Sequence, residues 1–149
     1  MLISQKCQYA LRALFELAKH EGDGPIRIAD VAQAQAIPPR FLEVILAQMK
    51  QGGFVQSQRG NRGGYSLARP ADEVTVGDVI RFVEGPLGPV VCAMGSTDKE
   101  CPLYGGCVFL PMWERVRDAI AGVYDNMTLK DLVEQEAQRG AGYVSCYAI

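Results

Sequence analysis

Residues 92–107 read CAMGSTDKECPLYGGC, so Cys92, Cys101 and Cys107, three of the chain's five cysteines, fall within sixteen positions. Sulfur at that density can close a disulfide, hold a metal, serve as a redox-sensitive thiol, or simply pack as a small apolar group. The spacing C-x8-C-x5-C lacks the paired C-x2-C or C-x4-C knuckles of structural zinc. Three thiolates on a glycine-rich segment can instead wrap one face of an iron–sulfur cluster, whose separated iron corners suit a looser spacing. The N-terminus, MLISQKCQYALRALFELA, has no basic n-region, no continuous apolar core and no small-residue cleavage site. No apolar run approaches the ~20 residues of a membrane span. A cytoplasmic protein with reduced thiols is therefore expected, and an odd number of cysteines there argues against a disulfide framework.

Catalytic groupings are missing from the sequence. There is no Ser-His-Asp set, no carboxylate pair beside a histidine, and no phosphate-binding glycine loop between a strand and a helix. The one histidine, His20, falls at the end of the first helix, where a surface role is expected. The expectation is a binding protein, not an enzyme. A small iron–sulfur enzyme or electron carrier is the contrasting class.

The elements that must position the cysteines follow from periodicity. Leu11, Leu14, Phe15 and Ala18 mark an amphipathic helix that stops at the turn EGDGP, residues 21–25. A short second helix in 26–37 turns Ile28, Val31 and Ala32 inward. Pro38 and Pro39 then open a third helix whose apolar face carries Phe41, Leu42, Ile45, Leu46 and Met49, and Gly52-Gly53 closes it. Three helices with short connections form a helix-turn-helix pattern. FVQSQ (54–58) and GYSLA (64–68) read as strands joined by RGNRG (59–63), a wing whose tip carries Arg59 and Arg62. Such arginines can clamp phosphate or enter a minor groove; a solvated surface hairpin is the plainer reading.

Beyond the wing, Thr75 and Asp78 make a T-x-x-D helix start leading through Val79, Ile80, Phe82 and Val83 to a break at EGPLGP, 84–89. The cysteine segment is expected to be a loop. Phe109, Trp113, Val116, Ile120 and Val123 then step by 4, 3, 4, 3, a seam about two heptads long that suits packing on a symmetry mate. Thr128 and Asp131 repeat the cap before a last short helix, and GAGYVSCYAI reads as a weakly ordered tail with Tyr143, Val144 and Tyr147 as docking candidates. Charge divides along the chain: residues 1–70 hold nine Lys/Arg against five Asp/Glu, a net of +4, and residues 71–149 hold six against twelve, a net of −6. A basic half facing a polyanion fits that division.

The strings KCQYALRALFELA, IPPRFLEVIL, RGNRGGYSLARP and TVGDVIRFVEG, followed by the three-cysteine loop, resemble the bacterial winged-helix regulators typified by IscR, NsrR, RirA and CymR. The resemblance spans about residues 1–137. It implies a mainly α fold: a winged helix-turn-helix (1–83) with a small β-hairpin wing, a sensor loop (84–108), a long dimerisation helix with a C-terminal helix (109–137), and a tail (138–149). It implies a homodimer on double-stranded DNA with a pseudo-palindromic operator. Pro39, Arg40, Phe41 and Glu43 would face the major groove, and Arg59, Gly60 and Arg62 would form the wing contact. For Phe41, which also lies on the apolar stripe, packing is the other reading. The resemblance makes Cys92, Cys101 and Cys107 ligands of an iron–sulfur cluster, [4Fe–4S] ahead of [2Fe–2S]. Members with a histidine three residues after the last cysteine find Leu110 here, and members using an acidic residue in the partner's first helix find Gln8, with Cys7 beside it. Cys7 is the expected protein-derived fourth ligand; water, a small thiol or an open site would also serve. Cluster assembly would order residues 90–107 against the dimer helix and set the operator affinity. The alternative is a cluster-free regulator of the same fold, responding through thiol oxidation or a partner protein, for example in cysteine metabolism.

Overall fold

The structure is a computed structural model that describes residues 2–95 and 101–142. Helix α1 (Gln5–Lys19) lies at the centre. Ser4 caps it, its hydroxyl oxygen accepting from the Cys7 amide at 3.1 Å. Ala10, Ala13, Leu14, Leu17 and Ala18 are buried along it, the small residues letting α2 (Ile28–Gln35) and α3 (Pro39–Gln51) approach closely. Between α2 and α3 the chain turns at Ala36, whose φ of 50° is left-handed and makes it the one non-glycine residue with positive φ among the described residues. Pro39 takes the first turn of α3, where a missing amide donor costs nothing.

The wing forms as the sequence predicts. Strands β1 (Val55–Gln58) and β2 (Gly64–Leu67) pair antiparallel, Val55 opposite Leu67 and Gln58 opposite Gly64. Ile26 adds a one-residue bridge on the other edge of β2: its amide and carbonyl exchange 2.8 Å hydrogen bonds with Tyr65. That bridge explains Gly64, where any Cβ would strike the Ile26 carbonyl. Helix α4 (Val76–Glu84) carries the full capping box, Thr75 and Asp78 satisfying each other's amides at 3.0 and 3.1 Å. A 3₁₀ turn, Val91–Met94, precedes α5 (Leu110–Tyr124) and α6 (Leu129–Gly142).

The core gathers Leu14, Val31, Leu42, Leu46, Met49 and Val74 around α1, and Leu129 at the start of α6 joins it fully buried. A short ladder holds that junction: the Val76 amide donates to the Met127 carbonyl at 2.8 Å, and the Leu129 amide to the Val74 carbonyl at 3.0 Å. A second cluster packs Cys7, Val76, Ile80 and Leu87 together. The last helix and the winged helix-turn-helix thus share one core.

Three expectations change. Helix α6 is not short: it runs fourteen residues to Gly142, through Gly140 and into the stretch read as a tail, with its inner face packed on α1. Phe41 stands outside the apolar stripe, 62% exposed, since Leu42, Ile45, Leu46 and Met49 already fill the buried face of α3. The seam on α5 also turns. Trp113 and Ile120 are half-buried, whereas Phe109, Met112, Val116, Ala119 and Val123 are exposed in steps of 3, 4, 3, 4. Tyr143, Val144, Tyr147 and Cys146 lie outside the described residues.

Removing the anchor of α6 tests this shared core. Leu129→Ala is expected to lower unfolding stability by ~2–5 kcal/mol in urea, the range for an emptied core site. An unchanged midpoint would mean that α6 is an appendage to an independently folded head.

Candidate nucleic-acid interface and cysteine segment

Helix α3 buries one face and presents the other. Pro39, Arg40, Phe41, Glu43, Val44 and Ala47 are all exposed. Arg40 and Glu43 have no ion-pair or hydrogen-bond partner among the described residues, so neither charge is committed to the fold. Phe41 and Val44, 62% and 67% exposed, add apolar surface that matches thymine methyl groups in a major groove. Val44 escaped the sequence reading; the signal was an apolar residue off the buried stripe of a helix that is apolar on more than one side.

The wing is fixed relative to α3. The Phe54 amide donates to the Met49 carbonyl at 3.0 Å, and the Lys50 ammonium donates to the Ser57 hydroxyl at 2.6 Å. At the tip, the Gly63 amide donates to the Gly60 carbonyl at 3.0 Å, with Gly60 at φ 110°, a conformation that favours glycine. Arg27, just before α2, donates to the Asn61 carbonyl at 3.1 Å and braces the turn from below. That brace also escaped the sequence reading, because it joins residues 34 positions apart. Arg59 and Arg62 remain exposed and unpaired among the described residues. Two positive side chains on a braced turn, beside an exposed helix face with a third, form a surface suited to a phosphate backbone and a groove edge.

The cysteine segment follows α4 and packs on α5. Cys92 lies in the 3₁₀ turn, and Cys101 and Cys107 lie on the approach to α5; all three are half-buried free thiols. The turn is held down by Ala93, which is fully buried, and by Arg117 of α5, which donates to the Ala93 carbonyl at 2.8 Å. Cys107 is tied to α5 through its carbonyl, which accepts from the Leu110 amide at 3.3 Å. The donor set suits an iron–sulfur cluster in kind, being three thiols. It is not assembled: among the described residues no three His, Cys, Asp or Glu side chains converge on a point where a metal would sit.

Cys7, the expected fourth ligand, is not grouped with these three within one protomer. It is fully buried beneath Val76, Ile80 and Leu87. Burial first, and the nearby Glu84 carboxylate next, push its thiol up to about 11. Glu84 in turn accepts from the Ser4 amide at 3.1 Å and from the Ser4 hydroxyl, closing the start of α1 over Cys7. Under that cover the Cys7 thiol has no exposed surface in this protomer. His20 is a surface residue, but its ring lies 3.3 Å from Glu16 and 3.5 Å from Asp23, so the expectation that no carboxylate pair flanks a histidine is corrected. Glu16 itself is buried, accepting from Gln35 of α2 at 2.6 Å, a link between α1 and α2 that the sequence reading also missed.

Comparison with known proteins places this geometry. Residues 3–135 match the model of the Rrf2 family, described as an iron-dependent transcriptional regulator. The chain is 37% identical over 142 residues to the HTH-type transcriptional regulator CymR of Bacillus subtilis, covering 92% of this chain and 96% of that one. It is 31% identical over 136 residues to the regulator IscR of Serratia proteamaculans, covering 91% and 81%. Among solved structures, CymR (YrzC), the global cysteine regulator of B. subtilis, superposes with a TM-score of 0.74 at 36% identity, covering 91% of this chain and 98% of that one. T. potens IscR superposes with a TM-score of 0.77 at 31% identity, covering 99% and 95%. No helix among the described residues is long and apolar enough to cross a membrane.

Cys7 carries a pH signature. The unfolded chain loses the thiol proton near 9.0, whereas the folded protein keeps it to about 11. The unfolded state therefore binds fewer protons across that window, and stability is expected to fall as pH rises from 9.0 toward about 11. In Cys7→Ala that component of the alkaline fall should vanish in urea titrations at matched pH. An identical alkaline slope in both proteins would contradict the buried, protonated thiol.

Proposed function

This chain belongs to the Rrf2 family of transcriptional regulators, and we propose that it acts as a homodimer that reads double-stranded DNA and is switched through its three-cysteine segment. The observation that carries this reading is a pair of exposed surfaces on one module, unpaired among the described residues: Arg40 on α3, and Arg59 with Arg62 on the braced wing. Pro39, Arg40, Phe41 and Glu43 face the major groove in this proposal. Arg40 contacts phosphate or a guanine edge, and Glu43 accepts from a cytosine amino group. Arg59 enters the minor groove, Gly60 permits the close approach, and Arg62 contacts the adjacent backbone.

The second copy packs along α5. Its exposed line of Phe109, Met112, Val116, Ala119 and Val123 has a heptad spacing, and Ala119 with Gly122 leaves room for a close helix. Two heads related by that axis would read the halves of a pseudo-palindromic operator. Residues 1–83 are the reader, 84–108 the sensor, and the helices from 109 onward the dimer element.

Cys92, Cys101 and Cys107 would hold an iron–sulfur cluster, [4Fe–4S] or [2Fe–2S], which would supply sensitivity to iron supply and oxidants. The thiols stand apart in the present arrangement, so holding one requires the segment to close, and Gly95, Gly105 and Gly106 give its backbone that freedom. Water or a small thiol fits the remaining coordination site better than the buried Cys7 does. What the protein contributes is the connection: Arg117 and buried Ala93 tie the sensor to α5, so a rearranged segment changes how α5 is held and hence the posture of the two heads. A second reading, direct oxidation of separate thiols without a cluster, is favoured by their dispersed placement and by the likeness to CymR.

One anaerobic binding experiment on duplex DNA selected from a random library covers the proposal. Arg59→Ala should weaken binding and reduce the salt slope by about one. Cys101→Ala should lose broad visible absorbance and shift affinity by roughly 5–150-fold. A colourless wild type that still responds to thiol oxidants would favour the second reading. Affinity indifferent to Arg59, to Cys101 and to oxidant would overturn both.

A further inference from the structure

A cavity of about 470 Å³ opens between α4, the 85–94 stretch and α5. Its body is apolar, formed by Pro86, Leu87, Met94 and Ala121, and its polar groups are the guanidinium groups of Arg81 and Arg117. The volume is in the range of small-molecule sites, and an apolar body with a few convergent polar groups is their usual composition. Both arginines have partners and spare donors. Arg81 gives two of its N–H groups to Asp125, at 2.6 and 2.7 Å. Arg117 gives one to Ala93 at 2.8 Å and binds Asp118 through Nε at 2.9 Å and Nη2 at 2.8 Å. Each guanidinium carries five N–H groups in a planar fork, so about half of the ten remain available. The aspartates are exposed, and exposed ion pairs exchange readily with a competing carboxylate.

We propose that this cavity binds a small carboxylate with an apolar body of a few carbons. The carboxylate accepts from the spare donors of Arg117 and Arg81, and the body covers Leu87, Pro86 and Met94. The ligand would touch Met94 and Arg117 together. It therefore braces the Val91–Met94 turn on α5. The site gives the sensor a second input that requires neither a cluster nor thiol chemistry. Its binding step does not depend on the proposed DNA reading, so each can fail alone.

The test is calorimetric titration of the full chain, without DNA, using hexanoate, with 1-hexanol and acetate as probes of the body and the charge alone. Hexanoate should bind saturably in the millimolar range and about tenfold or more tighter than either control, the factor expected for hydrogen bonds to a charged group. Arg117→Gln should lose about that factor, and Ala121→Phe, which fills the cavity, should abolish binding. Saturating hexanoate should slow amide exchange in 91–95. The wild-type comparison of the three probes stands even if a variant fails to fold. Absence of saturation, equal binding of 1-hexanol, an unaltered affinity in folded Arg117→Gln, or unchanged exchange in 91–95 would each overturn the proposal.

Discussion

Helix α5 is fastened at both ends and buries none of its own residues. At its C-terminus Asp125 meets Arg81 of α4 in a two-pronged ion pair, and the 127–129 stretch is hydrogen-bonded to the strand-like 74–76. Gly77 makes room for that pair, since a Cβ there would collide with Asp125. At its N-terminus α5 continues from Cys107, and Arg117 reaches back to Ala93. A fifteen-residue helix with a continuous exposed apolar line is costly to leave in water. The described residues leave that line uncovered while they fasten the helix at both ends, and the proposed dimer rests on those two facts taken together.

The same arrangement couples the cysteine-bearing segment to the winged head by direct packing. Leu87, at the start of the cysteine-bearing stretch, packs with Val76 and Ile80 of α4 and with Cys7 of α1. Helix α1 is in turn the pillar against which α2, α3 and α6 pack. The 84–108 segment therefore adjoins the head through a packed apolar seam and α5 through a hydrogen-bonded clamp. Close-packed seams of this kind shift between discrete arrangements more readily than they deform. In the account proposed, the three thiols bias that seam and the paired heads report it.

Much of this was legible in the sequence, for identifiable reasons. Leu14, Val31, Leu42 and Leu46 follow helical periods that only a buried face rewards, and RGNRG between two short apolar runs is a hairpin tip on chemistry alone. Thr75 with Asp78, and Thr128 with Asp131, announced their capping boxes through local hydrogen bonds that need no tertiary context. What stayed hidden depends on which neighbour covers which side. The period of α5 was plain, but Trp113 and Ile120 are partly covered by their own protomer, which moved the exposed line onto Met112 and Ala119. Cys7 looked available beside Gln8 and Lys6, yet it continues the buried line of Ala10, Leu14 and Leu17 one turn earlier than the aliphatic residues suggested. Spacing along the chain identified the three loop cysteines as a set, but not whether their sulfurs converge.

The most direct measurement is sedimentation equilibrium of the full chain in reducing buffer, beside Val116→Glu, which places a charge in the middle of the exposed line. The account predicts a wild-type species of twice the 16.2 kDa chain mass and a folded 16.2 kDa monomer for the variant. A monomeric wild type, or a variant dimer as stable as the wild type, would contradict α5 as the element that pairs two DNA-reading heads.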